Sequence, residues 1–160
     1  MVNRVYLLLG SNLGNRHQLL DAAQKHISEH VGNITQTSGL YETAAWGKTD
    51  QPAFINQVVE VDTDISPKEL LHIIQDIENQ MGRIRYEKWG ERIIDIDILY
   101  YNDLAMEEEN IKIPHPEIGN RKFTLAPLVE IAADYLHPIL RKTNRELLAA
   151  CTDPLAVTKL

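Results

Sequence analysis

The run Ile93-Ile94-Asp95-Ile96-Asp97-Ile98-Leu99-Tyr100-Tyr101 restricts the chain to few folds. Successive side chains of a strand point to opposite faces, so Ile94, Ile96 and Ile98 share one face while Asp95 and Asp97 share the other. Such a strand needs an apolar core on the isoleucine side and cannot be apolar on both. The two carboxylates also interrupt the greasiest stretch of the sequence, and no apolar run approaches the roughly 18 residues needed to cross a bilayer. Membrane spanning is therefore not expected.

The other elements follow from pattern. Val5 to Leu9 reads as a buried strand that stops at the turn cluster Gly10-Ser11-Asn12-Leu13-Gly14-Asn15. Leu19, Leu20, Ala23, Ile27 and Val31 recur at helical spacing from Arg16 to Val31, and Gly32-Asn33 supplies a stop. Ile34 to Tyr41 reads as a second strand, Glu42 to Pro52 as a long loop, and Phe54 to Thr63, with Val59 and Val61 alternating with Glu60 and Asp62, as a third strand. Ser66-Pro67-Lys68-Glu69 combines an N-cap serine, a proline at the first helical position and a glutamate three residues after the cap, so a helix starts there and runs to Gly82. A second loop, Arg83 to Arg92, leads into the Asp95 strand.

Strand, helix, strand, strand, helix, strand is the order of the ferredoxin-like split βαβ arrangement (βαββαβ): an α+β fold with an antiparallel sheet, both helices packed on it, and here a C-terminal extension. In that extension the sequence predicts a strand at Asn110 to Ile113, a helix from Pro127 to Ala133 with proline at its start, and a last helix after the capping box Thr143-x-x-Glu146. With 160 residues and no internal repeat, residues 1–160 are read as a single domain. The lone Cys151 and the lack of a charged-then-apolar leader point to a reducing cytoplasm.

Chemistry concentrates in two places. Asp95 and Asp97 are consistent with two solvated aspartates on an outer sheet face, or with a pair that holds a hard cation such as Mg²⁺ together with substrate phosphates. The net charge is −7, yet the stretch Arg83 to Arg92 carries four basic and two acidic residues. The overall acidity disfavours nucleic acid, and the local cationic loop beside paired carboxylates suits a small polyphosphate. Ile113-Pro114-His115-Pro116 sets a histidine between prolines, and Asn120-Arg121-Lys122-Phe123 adds two cations and a ring. His17, His26, His30 and His72, on expected helices, show no metal-ligand spacing in this reading and are taken as surface or packing residues. No P-loop or covalent-nucleophile motif is present.

Lys88-Trp89-Gly90-Glu91-Arg92-Ile93-Ile94-Asp95-Ile96-Asp97-Ile98-Leu99 closely resembles the signature of the 6-hydroxymethyl-7,8-dihydropterin pyrophosphokinase family. The likeness continues through Gly10-Ser11-Asn12, Tyr41-Glu42-Thr43, Gly47, Asp50 to Asn56, Glu78, Gly82 to Arg85, Pro114-His115-Pro116, Asn120-Arg121 and Phe123. It implies transfer of the β,γ-pyrophosphoryl group of ATP, the co-substrate, to the hydroxymethyl group of a reduced pterin, releasing AMP. By the same resemblance Asp95 and Asp97 hold two Mg²⁺ ions, with Asp95 also at the pterin, and Arg83 and Arg92 act on the transferring phosphates. Gln75, Glu78, Arg85, Trp89, His115 and Arg121 lie at ATP, and backbone groups of Ile98 and Lys112 at adenine. Phe54 and Phe123 sandwich the pterin, with Asn56, Thr43 and backbone at Ala45 and Trp46 as its polar contacts. No protein partner is implied. Lys88, Glu91 and Ala44-Ala45 depart from the common pattern, where arginine, proline and proline are usual. Two rivals remain: another ATP- and Mg²⁺-using transferase on the same fold, and a ligand-sensing module without catalysis.

Overall fold

A computed structural model describes residues 2–12, 14–43, 53–82 and 94–160. Its main sheet contains β1 (Asn3–Ser11), β2 (Asn33–Thr37), β3 (Tyr41–Thr43), β4 (Phe54–Thr63), β5 (Asp95–Tyr101) and β8 (Val157–Lys159). A separate two-stranded ribbon pairs β6 (Met106–Glu108) with β7 (Ile111–Ile113). The helices are α1 (Arg16–His30), α2 (Pro67–Gly82), α3 (Lys122–Ala132) and α4 (Asn144–Ala150). The protein is thus of the α+β class, with every described pairing of the main sheet antiparallel.

The sheet order is β5-β1-β4-β3-β8, with β2 also on β4. Strand alternation then makes two cores from one sheet. Val5, Leu7 and Leu9 of β1, Val59 and Val61 of β4 and Ile96 and Ile98 of β5 meet Leu20, Ala23 and Ile27 of α1 and Leu70, Ile74 and Ile77 of α2. On the other face Tyr6, Leu8, Val58, Leu99 and Tyr100 meet Leu125 and Leu128 of α3 and Leu147 of α4. Burying a side chain of this size contributes about 1.5–3 kcal/mol each, so the two layers clamp β1 from both sides.

Several boundaries differ from the sequence reading. The expected strand Ile34 to Tyr41 is two strands, interrupted where Ser38 turns inward: its Oγ accepts from the Val58 N–H at 3.0 Å and its own N–H donates to the Val58 carbonyl at 2.9 Å. Ten-residue β4 is long enough to serve both pieces in series. Pro127 lies inside α3, which starts five residues earlier than its proline suggests. The burial of Leu125 and Leu128 against the tyrosine-lined core outweighs the hydrogen bond that proline removes. The capping box at α4 is present in both directions: Thr143 Oγ1 accepts from the Glu146 N–H at 3.1 Å, and Glu146 Oε1 accepts from the Thr143 N–H at 2.9 Å. Strand β8 had no sequence signal; it is a three-residue strand held by β3.

Candidate active site

The strand register builds the floor of a cleft. Gly10 of β1 stands opposite Asn56 of β4 on one side and opposite Asp95 of β5 on the other, so the three form a row across three strands. The next row on the same face is Asp97, Leu8 and Val58. At the centre of the first row there is no side chain: a Cβ at Gly10 would lie 2.5 Å from Asn56 Oδ1, and the Asn56 amide would have to move. The glycine therefore lets the Asn56 amide lean over β1 and leaves an open floor between a carboxylate and an amide.

Over this floor is a cleft of about 210 Å³ lined by Asp95, Asp97, Asn56, Thr43, Phe54, Phe123 and Arg121, with Leu8, Gly10 and Leu155 completing it. Phe54 begins β4 and Phe123 stands in the first turn of α3, which brings two rings from distant segments to one space. The Arg121 guanidinium sits 5.6 Å from the Phe123 ring centroid, a cation–π distance that orients both. Thr43 is buried at the end of β3, and its Oγ1 has no hydrogen-bond partner among the described residues. An unsatisfied hydroxyl in the lining of a cleft is costly unless a ligand meets it. Arg16, at the start of α1, donates to the Ala53 carbonyl at 2.6 Å and pairs with Glu42 at 3.3 Å, so it pins the ends of β3 and β4 beside the cleft.

His115 is fixed by two bonds: its backbone N–H donates to the Leu99 carbonyl at 3.0 Å and its Nδ1 accepts from the Glu117 N–H at 3.1 Å. An accepting Nδ1 puts the neutral ring's proton on Nε2, which becomes the outward donor. Burial is the main cause holding this imidazole below its ordinary pKa; the Asp97 carboxylate pulls it up, Arg121 pushes it down and Glu117 pulls it up. Asp97, His115 and Arg121 are thus one electrostatic group, although they come from β5, the segment after β7 and the start of α3.

The residues tied by resemblance to ATP are more scattered. Glu78 of α2 reaches the outer edge of β5 and accepts from the Ile96 N–H at 2.8 Å. Its position on the helix that covers the isoleucine face lets it hold the edge of the strand that carries both aspartates. Gln75 is exposed on α2, and Ile98 points into the core beneath that helix. Lys112 is exposed on β7, 3.8 Å from Glu107, and shares a second cleft with His115. Arg83, Arg85, Trp89, Arg92, Ala45 and Trp46 lie outside the described residues, as do Lys88, Glu91 and Ala44.

Of the expected site residues, the two aspartates, both phenylalanines, Asn56, Thr43 and Arg121 line one cleft. Leu8 and Leu155, which line it too, were not among those expected. Leu8 shares a face with Gly10 by simple alternation, a signal that was available. Leu155 is brought in by the β3–β8 pairing across more than a hundred residues and had no local signal.

A family model described as 7,8-dihydro-6-hydroxymethylpterin-pyrophosphokinase matches residues 6–133. A 2-amino-4-hydroxy-6-hydroxymethyldihydropteridine pyrophosphokinase of Haemophilus influenzae is 42% identical over 134 residues, covering 83% of this chain and 84% of that protein. One of the same description from Methylorubrum extorquens is 39% identical over 160 residues, covering 99% of each. Among solved structures, the wild-type HPPK-DHPS of Plasmodium falciparum aligns with a TM-score of 0.76 at 20% identity over 93% of this chain. Its complex with pteroate aligns at 0.75 and 21%. This chain spans 44% and 42% of those two solved chains, and at such identity the likeness concerns the fold.

Proposed function

This chain belongs to the 7,8-dihydro-6-hydroxymethylpterin-pyrophosphokinase family, and from that premise we propose how its own residues serve the reaction. It is a diphosphotransferase of folate biosynthesis that uses ATP as co-substrate. The hydroxymethyl oxygen of 6-hydroxymethyl-7,8-dihydropterin bonds to the β-phosphorus of ATP, the bond from that phosphorus to the α,β-bridging oxygen breaks, AMP leaves, and the hydroxyl proton is released.

The observation that carries the reading is the single cleft in which two carboxylates on one strand face two aromatic rings and two buried polar side chains. A flat, amide-rich heterocycle fits between Phe54 and Phe123, with the Asn56 amide and the Thr43 hydroxyl as fixed partners. The carboxylates of Asp95 and Asp97 offer hard oxygen donors on one face, partly open to the cleft, which is the donor set that Mg²⁺ prefers. These two residues would hold two Mg²⁺ ions, which supply charge neutralisation at the attacking and leaving oxygens. His115 donates through Nε2–H to a phosphate oxygen, and Arg121 neutralises charge while remaining stacked on Phe123.

Arg83 and Arg92 act on the transferring phosphates, Gln75, Glu78, Arg85 and Trp89 lie on the ATP side, and backbone at Ile98 and Lys112 meets adenine. Backbone at Ala45 and Trp46 completes the pterin contacts. With β2 and β3 taken as one interrupted strand, the sheet order supports the ferredoxin-like split βαβ reading, with the residues after β5 as its extension. The chain acts as one domain, in the cytoplasm, on small molecules and without nucleic acid, membrane or an obligate protein partner. The net charge of −7 supports the exclusion of nucleic acid, and among the described residues no helix is long and apolar enough to cross a membrane.

The test is a product assay with ATP, Mg²⁺ and the reduced pterin, resolved by chromatography. AMP formed one for one with pterin diphosphate, and only with Mg²⁺ present, is the expected result. ADP would mean single-phosphoryl transfer, pyrophosphate nucleotidyl transfer, and binding without products a sensor; each would overturn the reading.

A further inference from the structure

We propose that the last two turns of α1 carry a second metal site, built from His26, Glu29 and His30 and selective for a borderline divalent ion of the zinc type. One ligand atom from each of the three lies within 4.8 Å of the others. The sequence reading took these histidines as surface or packing residues, yet residues four apart on a helix stand one above the other, and Glu29 is three residues from His26. The two imidazole rings are 6.1 Å apart at their centroids and inclined by only 23°, stacked along the helix.

Several independent features agree with a bound cation there. His26 Nδ1 is buried without a hydrogen-bond partner among the described residues, so coordination at that atom breaks no existing bond. His30 lies in the last turn of α1, where the helix dipole favours positive charge. Two imidazoles and one carboxylate are the ligand set of zinc-like ions, with the remaining positions left to water, whereas Mg²⁺ prefers oxygen throughout. His-x-x-Glu-His is also a spacing used on helices by zinc enzymes.

The place gives the site a role. α1 packs on the isoleucine face of the sheet, so the sheet separates this cluster from the cleft. Directly after His30 the chain passes Gly32, where a Cβ would lie 2.1 Å from the Asp62 carbonyl oxygen, and enters β2. A cation across His26 and His30 clips the helix end at that tight crossing and stabilises the folded chain without taking part in pyrophosphoryl transfer.

The probe is Zn²⁺ alone, titrated calorimetrically into the full chain with Mg²⁺ in large excess to occupy oxygen sites. One Zn²⁺ per chain is expected, accompanied by a rise in the thermal midpoint and, with Co²⁺ in its place, by a visible band of imidazole ligation. His30→Gln, at an exposed position, should weaken the binding at least about tenfold, the scale on which even outer-shell partners act. It should also reduce the thermal shift at a given Zn²⁺ concentration while leaving pterin pyrophosphorylation unchanged, whereas His72→Gln on α2 should change neither. No Zn²⁺ bound under excess Mg²⁺, or unchanged affinity in both His30→Gln and Glu29→Gln, would overturn the proposal. Failure of the product assay would leave this titration unaffected, so the two readings fail separately.

Discussion

The two faces of the sheet use the same strands to opposite ends. On the α1/α2 face every inward position from Val5 to Leu9 and from Ile94 to Ile98 is apolar and closed by helix. Among the described residues the opposite face is closed at one end, where Tyr6, Tyr100 and Leu99 pack under α3 and α4, and at the other end Gly10, Asn56, Asp95 and Asp97 line a cleft. A site with two repelling carboxylates can be held in place because the reverse side of its own strand is anchored in core. Along β5, residues that anchor the core alternate with residues that face the cleft.

That division can be broken most sharply at β5 itself. Replacing Asp95 or Asp97 by alanine should lower kcat/KM by about a hundredfold or more, as expected when charge stabilisation of a transition state is lost. Unfolding in urea should shift by no more than about 0.5 kcal/mol. Ile96→Ala, one residue away and on the other face, should reverse the pattern, costing about 2–5 kcal/mol of stability at the same temperature at which the folded fraction still turns over. If Ile96→Ala lowered activity of the folded protein as much as Asp97→Ala does, the two faces would not be separable.

Smaller changes sharpen the comparison. Gly10→Ala forces Asn56 to shift and should raise KM for the pterin more than for ATP in steady-state assays, with an overpacking cost of about 1–3 kcal/mol. Glu78→Ala removes the acceptor of the Ile96 N–H at the strand edge; denaturant titration should show a loss of about 1–3 kcal/mol, largely restored in Glu78→Gln. The smallest effect is that of pH. Burial is the foremost cause holding His115 and His137 below the ordinary imidazole value of about 6.5. Below pH 6.5 the unfolded chain therefore takes up protons that the folded one resists, and stability falls as pH drops toward the folded-state values. The slope should not exceed about 1.4 kcal/mol per pH unit per group. His137→Asn, which keeps an acceptor for the Ile139 and Leu140 N–H groups, should flatten it.

Local pattern made much of this legible. The period-two run at β5, the capping signals at Ser66 and Thr143 and the alternation of β4 depend on neighbours in sequence, and they appear where expected. What escaped depends on distant partners. The split between β2 and β3 is made by Ser38 bonding to Val58, the start of α3 by burial that overrides Pro127, and β8 by an edge that only the folded sheet offers. The same holds for the site: Asp95 and Asp97 announce themselves, whereas the row Asp95–Gly10–Asn56 exists only through register, and Leu155 arrives from the far end of the chain.

One consequence of the clamped β1 concerns time. The strand is hydrogen-bonded along both edges and buried on both faces, so its amide protons have no local route to solvent and exchange only when the whole molecule opens. Strand β8, three residues long and paired on one described side, exchanges by local opening, yet it brings Leu155 to the cleft. The chain thus carries two internal clocks, a slow one at Leu7 and a fast one at Thr158. A nucleotide that slows only the fast clock closes the site locally, and one that slows both stabilises the entire fold.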